Sequence, residues 1–316
     1  MASPNSTFTE MVTTTLRHHP KEITDNVSLQ NALMSRLKKK GQIETVSGGY
    51  EIVEPLDWAE NSTFMRYSGY DPLDTSASDV LSAAKYDWAQ SAIHVVASGR
   101  EIRMNSGEEA MIKLVKARIA NAKRTTANNM SVDLYSTGAL SNQIGGLGAI
   151  ATADGTGTVG GIVSGTYTFW KSKFVTTGTP SATTIIGDMN TLWLSLVRGM
   201  DKPDLIVFSH DFFNYYESAL QANQRYASSS SASAGFESLK YKTADVIFDT
   251  NTNFGTTAEI GYFLNTDYLK LVQHKDAQWT QDDEKVPTNQ DAVIIPMYWM
   301  GQLVTSNRSL QGRLFD

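Results

Sequence analysis

The stretch that decides the fold runs Ser106-Gly107-Glu108-Glu109-Ala110-Met111-Ile112-Lys113-Leu114-Val115-Lys116 and continues to Leu134. Ser106 and Glu109 have the Ser-x-x-Glu spacing of a capping box, in which hydroxyl and carboxylate satisfy the first free backbone N–H groups of a helix. Glu108 and Glu109 load the positive end of its dipole, and Lys113, Lys116, Arg118, Lys123 and Arg124 follow downstream. Ala110, Met111, Leu114, Ile119 and Ala122 fall close to one helical face. No proline or glycine interrupts the run before Gly138. A helix over residues 107–134 is therefore expected, about 40 Å long. Strand-like, glycine-punctuated sequence flanks it on both sides. A long lone rod beside extended segments suits an assembling subunit better than a compact enzyme. An ordinary long helix in a mixed fold would show the same pattern.

Composition narrows the class. A chain of 316 residues suggests about two domains. Hydrophobic residues make up 41% and charged residues 19%, the balance of a folded protein with a sizeable core. A net charge of −6 argues against a chain whose main task is coating nucleic acid, and leaves room for a local basic face. Cysteine is absent, which removes disulfides, thiolate nucleophiles and thiolate metal sites together. Stability is then expected from packing and from contacts between subunits. Met1-Ala2-Ser3-Pro4-Asn5-Ser6 has neither the basic start nor the apolar core of a signal peptide. No apolar run reaches the roughly eighteen residues of a membrane span. Synthesis inside the cell without export is the expectation.

Residues 1–27 are Thr-rich and weakly patterned, and read as an arm that needs a partner surface. A short helix follows from Ser28 to Lys40: Ser28 caps it, Leu29, Leu33 and Leu37 share a face, Lys38, Lys39 and Lys40 sit at its negative end, and Gly41 stops it. The three lysines read as a solvated, dipole-favoured end, with contact to nucleic-acid phosphates as the alternative. Gln42–Val46 and Tyr50–Val53, joined by Ser47-Gly48-Gly49, read as a hairpin. From Pro55 to about Ala97 the chain is extended. Trp58, Phe64, Tyr67 and Tyr70 lie on the way out, Asp71-Pro72-Leu73-Asp74 to Asp79 forms a turn-rich tip, and Leu81, Tyr86, Trp88, Ile93 and Val95 lie on the way back. A two-stranded arm is marginal alone, so it needs something to pack on. Leu140 to Gly165 is a chain of glycine turns. A phosphate loop fails there, since no Gly-Lys-Ser/Thr follows. Beyond Thr183 the pattern is α/β. One helix spans Ile186 to Val197 and another carries Phe212, Tyr215, Tyr216, Ala219 and Leu220. Strands fall at 204–208, 245–248, 260–264, 268–272 and 292–295, and Ala227 to Gly235 reads as a loop.

No catalytic constellation stands out. His18, His19, His94, His210 and His274 lack metal-ligand spacing, and His210-Asp211 reads as a helix start. Gly-x-Ser-x-Gly is absent. Asp282-Asp283-Glu284, beside Lys285 and Pro287, reads as a loop tip; the spacing of a calcium loop is missing. No catalytic residue, cofactor or metal is expected.

The order of these parts resembles the major capsid proteins of tailed bacteriophages, with the Hong Kong 97-type fold, over about Asp25 to Asp316. The resemblance is carried jointly by Asp25-Asn26-Val27 with the Leu-rich helix and Lys-Lys-Gly, Gly48-Gly49-Tyr50-Glu51-Ile52-Val53-Glu54-Pro55-Leu56, Asn61-Ser62-Thr63-Phe64, Tyr67-Ser68-Gly69-Tyr70-Asp71, the long helix, Gly160-Gly161-Ile162 with Trp170, Lys202 to Val207, and Asn307-Arg308-Ser309-Leu310-Gln311-Gly312. It implies an α+β fold: an N-terminal arm and short helix (1–40), a peripheral domain (41–137) with an extended E-loop near 56–95 and the spine helix at 107–134, an axial domain (138–256), further peripheral strands and a loop (257–290), and a C-terminal axial segment (291–316). It implies self-assembly into hexamers and pentamers of an icosahedral shell around double-stranded DNA held by non-specific contact. Portal, scaffolding and decoration proteins are the further partners implied, with no membrane, in a virion capsid built in the host cytoplasm. Only about forty residues precede the first strands, so a fused scaffolding segment is not expected. Lys85, the one lysine in the arm, lies along a strand, which argues against a lysine–asparagine crosslink. The expected assembly contacts are Trp58, Phe64, Tyr67, Tyr70, Asp71, Leu73, Tyr86, Trp88, Asp282, Asp283 and Glu284. Two other classes compete: a nanocompartment shell of the same fold enclosing protein cargo, and a soluble α/β enzyme.

Overall fold

The computed structural model describes residues 31–104, 108–221, 238–249 and 259–316. The long helix, α3 (Glu108–Leu134), is present, preceded by the short α2 (Gly99–Met104); the expected cap at Ser106 lies outside the described residues, as do the Thr-rich arm and Ser28. The short helix, α1 (Ala32–Lys40), starts at Asn31, whose Oδ1 accepts from the Met34 N–H at 2.8 Å. Gly41 closes it at φ 70°, where a side chain would be strained. Leu33 and Leu37 are fully buried. The lysine end is only partly solvated: Lys40 Nζ reaches Asp204 at 3.0 Å and Asp267 at 2.7 Å, while Lys38 and Lys39 are exposed.

Two sheets form the body. A six-stranded sheet runs β7 (Lys173–Thr176), β14 (Gly312–Phe315), β11 (Ile260–Leu264), β8 (Leu205–Phe208), β10 (Ala244–Phe248), β9 (Ser238–Tyr241). Every residue of β8 and β11 is buried, because both faces are covered. Ile206, Phe208, Val246, Phe263 and Leu314 meet α5 (Ile185–Leu196) and α6 (His210–Gln221) on one face. Leu205, Val207, Ile247, Tyr262 and Leu264 meet α1 and the end of α3 on the other, in a core shared with the second sheet.

That second sheet runs β1 (Ile43–Val46), β12 (Leu269–Gln281), β13 (Ala292–Thr305), β4 (Ala89–Ser98). It overturns two expectations. Residues 42–53 do not form a hairpin: β1 pairs in parallel with β12, while β2 (Ile52–Asp57) pairs with β3 (Leu81–Tyr86). A tight Ser-Gly-Gly turn is compatible with either outcome; Ile43, partly buried against the main core, pairs with Leu271 of β12. The returning limb of the arm ends at Tyr86; Ile93 and Val95 belong to β4, paired with β13 beneath α3. The glycine-rich stretch is turns, as expected. It holds one short helix, α4 (Leu147–Ile150), and a two-stranded turn of β5 (Thr158–Val159) and β6 (Ile162–Val163). Strand β11 lies in the six-stranded sheet and β13 in the four-stranded one.

Further polar links tie α1 into this body. Arg36 binds Asp204 at 3.0 Å and Asp245 at 3.3 Å, and Asn31 Nδ2 donates to Ser131 Oγ of α3 at 2.8 Å. Burial pushes the Asp204 carboxyl up, but hydrogen bonds from Thr266 and the charge of Lys40 outweigh it and hold it below the usual range.

Candidate assembly surface

The β2–β3 hairpin projects from the body on a narrow apolar root. Along β2, Ile52, Glu54 and Leu56 point inward and Val53, Pro55 and Asp57 point out, the two-residue period of a half-buried strand. Ile52, Leu56, Ala84 and Tyr86 pack on Val159, Trp170, Val272 and Val304. Glu54 is the polar exception and meets Lys270 Nζ at 3.1 Å. Burial opposes the charge on Lys270, but Glu54 and Glu44 more than offset this and raise its pKa. The Tyr86 hydroxyl donates to the Thr305 carbonyl at 2.8 Å and accepts from the Thr305 N–H at 3.2 Å; burial pushes the phenol up. Gly160 lets the β5–β6 turn touch β3. A Cβ there would lie 2.7 Å from Ala84 Cβ, and its φ of 60° suits glycine alone.

Above this root the chain loses its cover. Trp58 N–H donates to the Val80 carbonyl at 3.0 Å, and the Trp58 ring sits 6.1 Å from both Tyr167 and Phe169. Between them, residues 59–79 contain no helix or strand. Local bonds shape this loop: Asn61 Oδ1 accepts from Thr63, Asp71 Oδ2 accepts from the Ser68 N–H at 2.8 Å, and Ser62 and Ser78 meet across it. Phe64 is 78% exposed, Tyr67 63%, Tyr70 106% and Leu73 55%. Aromatic side chains so far from any core face water at a cost of roughly 1.5–3 kcal/mol each relative to burial. Exposed aromatics grouped on a projection are a candidate contact surface.

The expected contact residues divide. Phe64, Tyr67, Tyr70, Asp71 and Leu73 lie together on the exposed loop. Trp58 is half-buried at its base. Tyr86 is buried inside the chain, as an anchor of the hairpin. Trp88 is half-buried, with Nε1 donating to the Gly49 carbonyl at 3.0 Å and its ring 6.0 Å from His274. Asp282, Asp283 and Glu284 are exposed in the separate link between β12 and β13, where the Lys285 ammonium, 2.6 Å away, holds the Asp282 carboxyl below its usual range. His210 and Asp211 are exposed at the start of α6, as a helix-start pair should be. Among the described residues no cluster of His, Asp and Glu could hold a metal ion, and no helix is long and apolar enough to cross a membrane.

Sequence reading missed Arg308, which is fully buried. Its guanidinium donates to the carbonyls of Ile150 at 2.7 Å, Thr156 at 2.6 Å and Gly157 at 3.3 Å, tying the C-terminal segment to the glycine-rich turns. The local signal was thin: Arg308 lies two residues before Leu310, and its partners are about 150 positions away, four backbone carbonyls and Thr152 Oγ1.

No protein-family model matches the chain, and no curated protein matches it in sequence. Solved structures do match its shape. The capsid asymmetric unit of cyanophage A-1(L) superposes with a TM-score of 0.63 at 16% identity, covering 95% of this chain and 97% of that one. A structure of Mycobacterium phage Bobi gives 0.58 at 11% identity, with 96% of each chain covered. The chain has the Hong Kong 97-type capsid fold. The SrpI encapsulin of Synechococcus elongatus shares this capsid fold, with a TM-score of 0.58 at 9% identity, covering 93% of this chain and 92% of that one.

Proposed function

We propose that the chain is a major capsid protein that self-assembles into the hexamers and pentamers of an icosahedral shell enclosing double-stranded DNA. One observation carries the reading: a whole-chain capsid fold bears a loop, residues 59–79, whose Phe64, Tyr67, Tyr70 and Leu73 its own body leaves in water. In this reading the β2–β3 hairpin and its loop are the E-loop, α3 is the spine helix of a peripheral domain with the four-stranded sheet, and the six-stranded sheet with α5 and α6 is the axial domain. The exposed aromatics then find cover on an adjacent copy. Interfaces of this kind bury on the order of 2,000 Å² or more. Tyr86 serves the hairpin from within, and Asp282 to Glu284 form a second contact at the β12–β13 link. Net negative charge suits a container whose DNA has to leave again. A separate scaffolding protein, a portal and a decoration protein are the other partners proposed, in a virion capsid assembled in the host cytoplasm. The chain carries out no catalysis in this role.

The encapsulin likeness supports a second reading, a shell around protein cargo. Electron microscopy of particles purified from cells making the chain separates them. Closed shells with packaged DNA and one distinct vertex are expected. Small closed shells filled with protein would replace the first reading with the second, and a small soluble oligomer from every preparation would overturn both.

A further inference from the structure

A two-stranded hairpin has two free edges, and here they differ. Trp58 N–H bonds to the Val80 carbonyl across the hairpin, and Lys85 N–H bonds outward to the Gly160 carbonyl at 2.9 Å. In an antiparallel ladder residues alternate between facing the partner strand and facing away. Both bonds set the same phase. The pairs Val53↔Lys85, Pro55↔Ala83 and Asp57↔Leu81 therefore turn their backbone groups outward. On the β2 edge that row is broken at its centre, because Pro55 has no N–H. On the β3 edge Gly160 takes only Lys85. The outward groups of Ala83 and Leu81 have no backbone partner among the described residues. Leu81 is 73% exposed beside them.

Proteins blunt such edges, because an open one recruits strands. This chain does so elsewhere: on β4, the outermost strand of its sheet, Arg118 Nη1 donates to the Val96 carbonyl at 2.7 Å. An edge left open where those of β2 and β4 are blunted, and continuous with the exposed Phe64 to Leu73 loop, is a surface built for use. We infer that the outer edge of β3, at Leu81 and Ala83, pairs with an extended segment of a second copy of this chain. The inference rests on the shell reading and names the backbone groups by which one copy holds the next. The occupant is a second copy because the edge continues the apolar loop that the same reading covers with a neighbour. A main-chain ladder also needs no side-chain match, so one edge serves copies in differently curved surroundings.

Amide-resolved hydrogen exchange on the intact chain tests this, comparing purified shells with unassembled subunits. The amides of Leu81 and Ala83 should slow by about 100-fold or more on assembly, as for groups that open only with the interface, while those of Val53 and Asp57 stay fast. Ala83→Pro should leave the subunit's circular dichroism intact and abolish particles; Val53→Pro, on the blunt edge, should still assemble. Should Ala83→Pro fail to fold, the exchange result on the unaltered chain decides alone. Shells in which Ala83 exchanges as in the free subunit, or in which both edges slow equally, overturn this inference and leave the shell reading standing. If the unaltered chain forms no shells, both fall.

Discussion

Replacing Arg308 with methionine keeps the aliphatic stem and removes the guanidinium. Five acceptors then lose a donor: the carbonyls of Ala149, Ile150, Thr156 and Gly157, and Thr152 Oγ1. Two of the bonds are short, 2.7 Å to Ile150 and 2.6 Å to Thr156, and they dominate the loss. A charge-assisted bond is worth about 1.5–3 kcal/mol, and a buried acceptor left bare costs a similar amount. The two together set the expected destabilisation at about 3–5 kcal/mol. The entropy of unfolding scales with length, and for a chain of this size about 1.5 °C of melting temperature goes with each kcal/mol. A drop of about 5–8 °C follows. Arg308→Lys should recover little of it, because one ammonium cannot reach acceptors spread around the edge of the planar guanidinium. Urea unfolding of the unassembled subunit, read by circular dichroism, gives the number. The reasoning fails if Arg308→Met lies within about 1 kcal/mol of the parent, or if Arg308→Lys matches the parent.

Deleting Asp71 to Asp79 should leave a folded subunit and block shell formation; closed particles from the truncated chain in the microscope would remove the loop's assigned role. Gly160→Ala should destabilise by about 2–4 kcal/mol, combining the strain of a positive φ with a clash at Ala84. Gly161→Ala, with a φ of 72° but open space around it, should cost only about 1–2 kcal/mol, so equal midpoints for the two would refute the close approach. The Arg118 hydrogen bonds hold the Glu101 carboxyl down at about 2, against 4.5 unperturbed. A depressed carboxylate stabilises the fold above its unfolded pKa and loses that contribution as pH falls through the folded one. Stability should thus decline between about pH 4.5 and 2, and Glu101→Gln should flatten part of that decline in a pH series of melting temperatures; an unchanged slope would sink the assignment.

Much of the body could be read in advance, because helices and fully buried strands announce themselves locally. Gly41 and the leucine spacing located α1, and unbroken apolar runs gave β8, β10 and β11. Two kinds of element escaped. Residues 42–53 carry an ordinary hairpin pattern, and only the distant β12 shows that β1 pairs elsewhere. Strands β12 and β13 were read too short, each for a local reason. Trp279 sits at φ 57° in a bulge that breaks the two-residue period of β12. Pro296 argues against a central strand, yet it lies just past the last β12–β13 pair, Gln281↔Met297, with its carbonyl accepting from the Asp282 N–H. In the hairpin, aromatic content picked out Phe64, Tyr67 and Tyr70 as expected contacts, and all three are exposed. The same criterion swept in Tyr86, whose burial depends on Thr305, more than two hundred positions away.

The place of the last strands has a consequence for timing. β13 lies between β12 and β4, and β14 lies between β7 and β11, so the final stretch of the chain supplies an inner strand of each sheet. A ribosome adding about 5–20 residues per second needs roughly 10–40 seconds to travel from β4 to β13. Throughout that interval neither sheet can close. Until it ends, the root of the β2–β3 hairpin lacks Val304, against which it packs, and the Thr305 carbonyl that the Tyr86 hydroxyl binds.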